Sequence, residues 1–85
     1  MGFIIYNEDM LEAQVLDLVA DNHPIEALAR ALTAIEDGFR VVLVMDMPKA
    51  YRQLLKAKSL QEYLLQVEEE ANYGLSKRYR VLTDR

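Results

Sequence analysis

Two short runs of adjacent apolar residues constrain the fold of this chain most strongly. Phe3-Ile4-Ile5-Tyr6 is the first run, and residues 40–45 form the second. In both runs apolar side chains occupy odd and even positions alike, and β-branched residues are frequent, which is typical of strands covered on both faces. We therefore predict a strand at each run and place the second one in the centre of the sheet.

Helical periodicity fills the interval between these two strands. Asn7 suits a helix N-cap, and the apolar residues after it fall within about a third of the helical circle, which predicts a first helix over residues 8–20. Pro24 is well suited to a first helical position, and Gly38 to the left-handed residue that ends many helices. A second helix is therefore predicted between them.

The second helix carries two apolar stripes. Its main apolar face consists of Ile25, Leu28, Ala29, Leu32 and Ile35. Along the flank runs a stripe of small residues, Ala27, Ala31 and Ala34. Only a narrow polar strip remains, so we interpret this helix as packed on two sides. It is either central in the fold or contacts the core on one side and another subunit on the other, which makes the alanine stripe a candidate oligomer or packing surface.

A third helix follows the central strand. Asp46 can cap it and Pro48 lies near its start, as is common at helix N-termini. The predicted inward face is Tyr51, Leu54 and Leu55.

The third helix does not continue far. In a continuous helix the apolar face would move by about half a turn between Leu55 and Leu60. Ser59 and Glu62 have the spacing of a capping box, in which each side chain satisfies a free backbone N–H group. We therefore predict a break at Ser59 and a fourth helix that begins at Leu60.

The end of the chain alternates between apolar and polar residues. Over residues 79–83 this pattern predicts a half-exposed strand at an edge of the sheet. The predicted order is β-α-α-β-α-α-β, which makes residues 1–85 a small single α+β domain with three short strands and about four helices. An all-α helical bundle is the alternative, because short apolar runs are ambiguous.

The composition is typical of a small globular protein. A chain of 85 residues buries only about 60% of its surface, so self-association would add stability. Cysteine is absent, which excludes disulfides and thiolate metal sites. The uncharged segments are shorter than the roughly 18 residues of a membrane span. We therefore expect a soluble, cytoplasmic protein.

The sequence contains no motif for catalysis or cofactor binding. His23 is the only histidine, and its place before Pro24 favours a turn or helix-cap role. Residues 68–70 are three consecutive glutamates, which on a helix point in different directions, so we interpret them as a solvated face and not as a cation site. We expect no catalytic residues, no cofactor, no metal and no small-molecule substrate.

The charge is divided unevenly along the chain. Residues 1–38 contain eight acidic side chains and one basic, a net charge of −7, whereas residues 39–85 contain six acidic and nine basic, a net charge of +3. Cations and an aromatic ring can bind phosphates and unpaired bases. The candidate partner or nucleic-acid surface is Lys49, Arg52, Lys56, Lys77, Arg78, Tyr79 and Arg80.

Two other interpretations of these cations stay open. They can form a solvated helix face and an edge strand that its charges protect from unwanted pairing. Alternatively, the basic stripe faces the acidic first helix, either within one subunit or across a dimer.

A segment in the middle of the chain resembles a known family. Residues 27–32 and 35–43 look like the helix, glycine turn and strand of Phd/YefM-type antitoxins, and Val44-Met45-Asp46 with Tyr51 and Leu54-Leu55 is loosely similar to the next segment of those antitoxins. The likeness covers about thirty residues. A hairpin-paired strand usual in that family is missing, and an additional helix precedes the matched part. The resemblance implies a small nucleic-acid-binding regulator, an antitoxin-type repressor.

The expected function is non-catalytic. We expect a small cytoplasmic interaction or regulatory protein that acts through protein contacts and forms a homo-oligomer, because the second helix is apolar on two sides and catalytic motifs are absent. The alternative is the nucleic-acid-binding regulator. The partner is thus another protein or a second copy of the chain, with nucleic acid as the other possibility and no membrane.

Overall fold

Four strands and three helices lie in the part of the chain that the computed structural model describes, residues 1–18, 23–73 and 78–83. In chain order they are β1 (Gly2–Tyr6), β2 (Ala13–Asp17), α1 (Pro24–Glu36), β3 (Arg40–Val44), α2 (Met47–Lys56), α3 (Leu60–Tyr73) and β4 (Tyr79–Val81). The predicted α+β class is confirmed. None of the described helices is both long and apolar enough to cross a membrane.

The two apolar runs form the inner strands of an antiparallel sheet with the order β2-β1-β3-β4. Ile4 of β1 lies opposite Val15 of β2 on one side and Val42 of β3 on the other. The predicted two-sided burial of both strands is confirmed, since all five residues of β1 and four of the five in β3 are buried. β4 lies at an edge, as the alternating pattern predicts.

Helices cover both faces of this sheet. Successive side chains of a strand point to opposite faces. Phe3, Ile5 and Val41 therefore pack on one face, together with α1. Ile4 and Val42 point to the other face, where α2 and α3 cover them. This arrangement explains why neither inner strand has a polar side.

The first predicted helix, residues 8–20, is wrong over the residues described, and residues 19 and 20 lie outside them. A turn and β2 occupy the segment instead. The side-chain oxygen of Asn7 accepts hydrogen bonds from the backbone N–H groups of Leu11 and Glu12, at 3.1 and 3.4 Å. Met10 has a φ of +57°, which no right-handed helix contains. The hydrogen bonds that the Asn7 side chain accepts, and the pairing of β2 with β1, thus outweigh the helical periodicity of this segment.

Gly38 ends the helix before β3, as predicted. It has a φ of +85°, the left-handed region that favours glycine. Its backbone N–H donates to the carbonyl of Ile35 at 3.2 Å, and the N–H of Phe39 donates to the carbonyl of Ala34 at 2.9 Å. These two bonds form a Schellman motif, which satisfies carbonyls at the end of α1.

Ser59 separates α2 from α3, which confirms the predicted break. Its hydroxyl accepts a hydrogen bond from the backbone N–H of Glu62 at 3.1 Å. The Glu62 carboxylate reaches back to the N–H of Lys58 at 2.9 Å, one residue before the usual partner in a capping box. Asp46 likewise caps α2, as predicted, by accepting from the N–H of Lys49 at 3.0 Å.

The inward face of α2 differs from the prediction. Met47 and Ala50 are buried, Leu54 is half-buried, and the predicted Tyr51 and Leu55 are exposed. The first turn of α2 approaches the sheet closely where β1 begins: a Cβ atom on Gly2 would collide with the Met47 side chain and the Leu16 carbonyl. The N-terminal turn of α2 therefore faces the core, and the helix is rotated about its axis relative to the predicted orientation.

Candidate interaction surfaces

α1 packs on the sheet with its small residues and exposes its large ones. Ala27, Ala31 and Ala34 are buried among the residues of the sheet face. On the other side, Ile25 is 82% exposed, Leu32 55%, Leu28 50% and Ile35 36%. The main apolar face predicted from the sequence is thus the outer face of the helix, and the alanine stripe is its packing face within the subunit. We call Ile25, Leu28, Leu32 and Ile35 the outer apolar face of α1.

The two flanks of α1 have different neighbours. On a helix of 100° per residue, Arg30 and Asp37 lie on one side of the buried alanines, and Leu28 and Ile35 on the other. The polar flank borders a cleft of about 500 Å³ whose far wall consists of residues from β1 and β2, among them Ile5. The apolar flank is therefore turned towards β3 and β4.

The sheet beside this apolar flank is only partly covered. Leu43 of β3 is half-buried beside the core residues under α1, and its cross-strand partner Arg80 is exposed on the same sheet face. Leu82 is 40% exposed and its N–H donates to the Val41 carbonyl at 2.9 Å, so the ladder continues past β4. The outer apolar face of α1 thus borders a partly uncovered sheet edge with a cation on it.

A basic groove lies on the opposite face of the sheet. Two segments that are far apart in the sequence meet there, the outer side of α2 and the residue before β4. The groove has a volume of about 360 Å³ and its cationic lining is Lys49, Arg52, Lys56 and Arg78. We call it the basic groove.

A hydrogen-bond network behind the basic groove fixes the position of Gln53, which lines it. The hydroxyl of Tyr79 donates to the Gln53 side-chain oxygen at 2.7 Å, and the Gln53 amide donates to Glu70 at 2.8 Å. Glu70 also pairs with Arg78 at 3.2 Å. The hydroxyls of Tyr63 and Tyr79 lie 3.2 Å apart. Burial raises the pKa of both phenols, and the hydrogen bond with Tyr63 raises the pKa of Tyr79 further. Both side chains are therefore neutral at physiological pH.

The structure divides the cationic surface predicted from the sequence. Arg78 joins the stripe on α2, whereas Arg80 lies opposite Leu43 on the other sheet face. Arg78 precedes β4 and its side chain pairs with Glu70, so it does not follow the alternation within the strand. Tyr79 is 4% exposed and its ring cannot stack on a base. Lys77 lies outside the described residues. The predicted stacking role of Tyr79 is therefore wrong. Four of the predicted cations lie in one groove, and their contact with a partner or nucleic acid stays a prediction.

The acidic and basic regions lie at different edges of the sheet. Glu12 and Asp17 belong to the hairpin around β2, and Arg78 directly precedes β4, the strand at the opposite edge. The predicted acidic helix is absent from the described part of this segment, so the basic stripe does not face such a helix within one subunit. Contact between these regions across a dimer stays a prediction.

A buried ion pair that the sequence patterns did not predict joins β3 to α3. Arg40 is 9% exposed, and its Nε donates to Glu68 Oε1 at 3.1 Å. The Tyr6 hydroxyl donates to the same oxygen at 2.7 Å. Burial and this bond to Glu68 raise the pKa of Tyr6. The sequence does contain a sign of this pair: Arg40 begins an otherwise apolar strand, and a buried cation requires an acceptor.

Two carboxylates of the glutamate run are structural. The interpretation of residues 68–70 as a solvated face is wrong for Glu68 and Glu70, which bind Arg40 and Arg78, and holds for exposed Glu69. Among the described residues, no three His, Cys, Asp or Glu side chains are grouped so that they could hold a metal ion.

His23 occupies the N-cap position of α1, as its place in the sequence predicts. Its carbonyl accepts the first helical bond, from the N–H of Ala27 at 3.1 Å, while its side chain makes no capping hydrogen bond. The ring is exposed at the end of the helix.

Comparisons with protein-family models, curated proteins and solved structures find no match to this chain. The proposals on function are therefore based on two surfaces of the structure, the outer apolar face of α1 and the basic groove.

Proposed function

We propose that this protein is a small, non-catalytic interaction protein that acts through protein contacts and forms a homo-oligomer through the outer apolar face of α1. The observation that carries this proposal is the orientation of α1, which buries three alanines and exposes four large aliphatic side chains. A subunit that used α1 only for its own core would gain more by burying the large residues.

The energetics favour a covered outer face. Complete burial of a Leu or Ile side chain contributes about 1.5 to 3 kcal/mol, and these side chains are 36% to 82% exposed in the subunit. Each would therefore gain about 1 kcal/mol on being covered. A chain of 85 residues has a small core, so such a gain is a large part of its total stability.

The surroundings of the outer apolar face resemble the anatomy of an interface. Protein interfaces have an apolar centre that lacks charges and a polar rim. Here the aliphatic residues form the centre, while exposed Glu36 and Arg80 lie at the margins. A second copy of the chain is the simplest occupant, because most soluble oligomers are two-fold symmetric and use the same patch on each subunit. The absence of cysteine supports the cytoplasm as the compartment.

Sedimentation equilibrium over a range of protein concentrations tests this proposal. We expect the mean mass to rise from that of one subunit, 9.8 kDa, towards a multiple of it. A species that keeps the mass of one subunit at every concentration and also captures no protein from a lysate would contradict the proposal.

A further inference from the structure

We propose that the basic groove binds the phosphodiester backbone of a nucleic acid without discriminating between bases. This goes beyond the proposed self-association, which uses the opposite face of the sheet. The groove gathers Lys49, Arg52, Lys56 and Arg78 from two segments that only the tertiary structure brings together.

The length of the cationic row favours a polyanion over a single phosphate. Lys49 and Lys56 lie seven helical steps apart on α2, which at 1.5 Å per step is about 10 Å, and Arg52 lies between them. Phosphates of one strand of a duplex rise by about 3.4 Å each along the axis, so the row extends along about three of them. A single phosphate group would contact only part of the row.

Nearby carboxylates pair with two of the four cations in the groove. Glu70 pairs with Arg78, and Asp46 lies 3.8 Å from the Lys49 ammonium. Among the described residues, neither Arg52 nor Lys56 takes part in a salt bridge. Both side chains are exposed, so an incoming phosphate can contact them without breaking an existing pair.

The lining of the groove determines what kind of binding is possible. Gln53, which lines the groove, is held by hydrogen bonds to Tyr79 and Glu70. The described lining contains no aromatic ring, and Tyr79 behind it is buried. Tyr51, the exposed aromatic residue of α2, lies about 100° around the helix from Arg52. Contacts to phosphates therefore dominate, and phosphate contacts carry no sequence information.

Fluorescence anisotropy with labelled oligonucleotides of about 20 nucleotides tests this inference. Three phosphate contacts on a duplex give a slope of about −2.7 in a plot of log affinity against log salt, so affinity should fall about 40-fold between about 50 and 200 mM salt. Two unrelated base sequences should bind within about 3-fold of each other. A Lys56→Gln variant should reduce the slope by about 1.

Arg52→Glu and Arg30→Glu are the decisive pair of variants. Both change the charge by the same amount on an exposed side chain, but only Arg52 lines the groove, and Arg30 lies on the polar flank of α1. We expect Arg52→Glu to weaken binding at least 10-fold and Arg30→Glu to change it less than 3-fold, with circular dichroism showing that both fold. No binding at about 50 mM salt, equal losses in both variants, or competition by tripolyphosphate as strong as by an unlabelled oligonucleotide would overturn the inference.

Discussion

The guanidinium of Arg40 and the carboxylate of Glu68 lie 3.1 Å apart and connect the central strand β3 to α3 across the edge of the core. Tyr6 donates to the same carboxylate oxygen, and Arg40 also donates to the Thr83 carbonyl at 3.3 Å. The Arg40–Glu68 pair thus connects β1, β3, α3 and the segment that follows β4. Because Arg40 is almost completely buried, its charge depends on this acceptor.

Replacing Glu68 should therefore destabilise the fold. In Glu68→Ala, Arg40 Nε and the Tyr6 hydroxyl lose their acceptor, and we expect the free energy of unfolding to fall by about 2 to 3 kcal/mol. Urea denaturation measures this difference. Glu69→Ala is the matched control, since Glu69 is exposed and should change stability by less than about 0.5 kcal/mol. Equal effects of the two substitutions would show that the ion pair contributes nothing.

Removal of the helix cap at Ser59 should have a smaller effect. Ser59→Ala deletes the acceptor for the Glu62 N–H, and the expected loss is about 1 kcal/mol in urea denaturation. Ser59→Asp restores an acceptor at the same position and should keep stability within about 0.5 kcal/mol of the wild type. If the Ser59→Ala variant were as stable as the Ser59→Asp variant, the cap would not be the interaction that separates α2 from α3.

The turn at Gly38 should not accept alanine. No atom lies within 4 Å of a Cβ placed on Gly38, so any loss of stability comes from its φ of +85°. We expect Gly38→Ala to lower the free energy of unfolding by about 1 to 2 kcal/mol, and Gly38→Asn to lower it less, because asparagine tolerates this conformation. Thermal unfolding of both variants gives the order, and asparagine proving the worse substitute would be evidence against this explanation.

Stability should fall at alkaline pH. Burial raises the pKa of Tyr6, Tyr63 and Tyr79 in the fold above the ordinary value of 10.0. Below pH 10 the phenols are neutral in both states and their contribution is complete. Above it the unfolded chain releases protons that the folded chain keeps, so stability decreases as the pH rises. Absorbance of tyrosinate and circular dichroism, followed together, should show these phenols ionising only as the fold is lost; early ionisation would contradict their burial.

Local patterns predicted most of the elements in this chain. The two-sided apolar runs gave β1 and β3, and the residues with specific end-of-helix chemistry, Asp46, Ser59 and Gly38, gave the correct boundaries because their interactions lie within a few residues. The segment after Asn7 has helical periodicity as well, but its pairing with β1 is a tertiary contact that a local pattern does not contain.

The interaction surfaces depended on tertiary structure to a greater extent. Periodicity identified both stripes of α1 but not which one faces the sheet, because a helix that is apolar on two sides can pack either way. Small side chains such as Ala31 allow the helix to approach the sheet closely. The spacing of apolar residues in the sequence does not show which stripe makes this approach. The basic groove could not be predicted either, since Arg78 lies beside the cations of α2 only when β4 is paired with β3.

Self-association through α1 is the central claim, and sedimentation equilibrium of Leu32→Glu beside Leu65→Glu tests it most directly. Leu32 is 55% exposed on the outer apolar face and Leu65 is 57% exposed on α3, so the same substitution at similar exposure differs only in location. We expect Leu32→Glu to shift the protein to a single subunit of 9.8 kDa while Leu65→Glu keeps the wild-type mass. Unchanged association of Leu32→Glu, or equal dissociation of both variants, would contradict the assignment of this face.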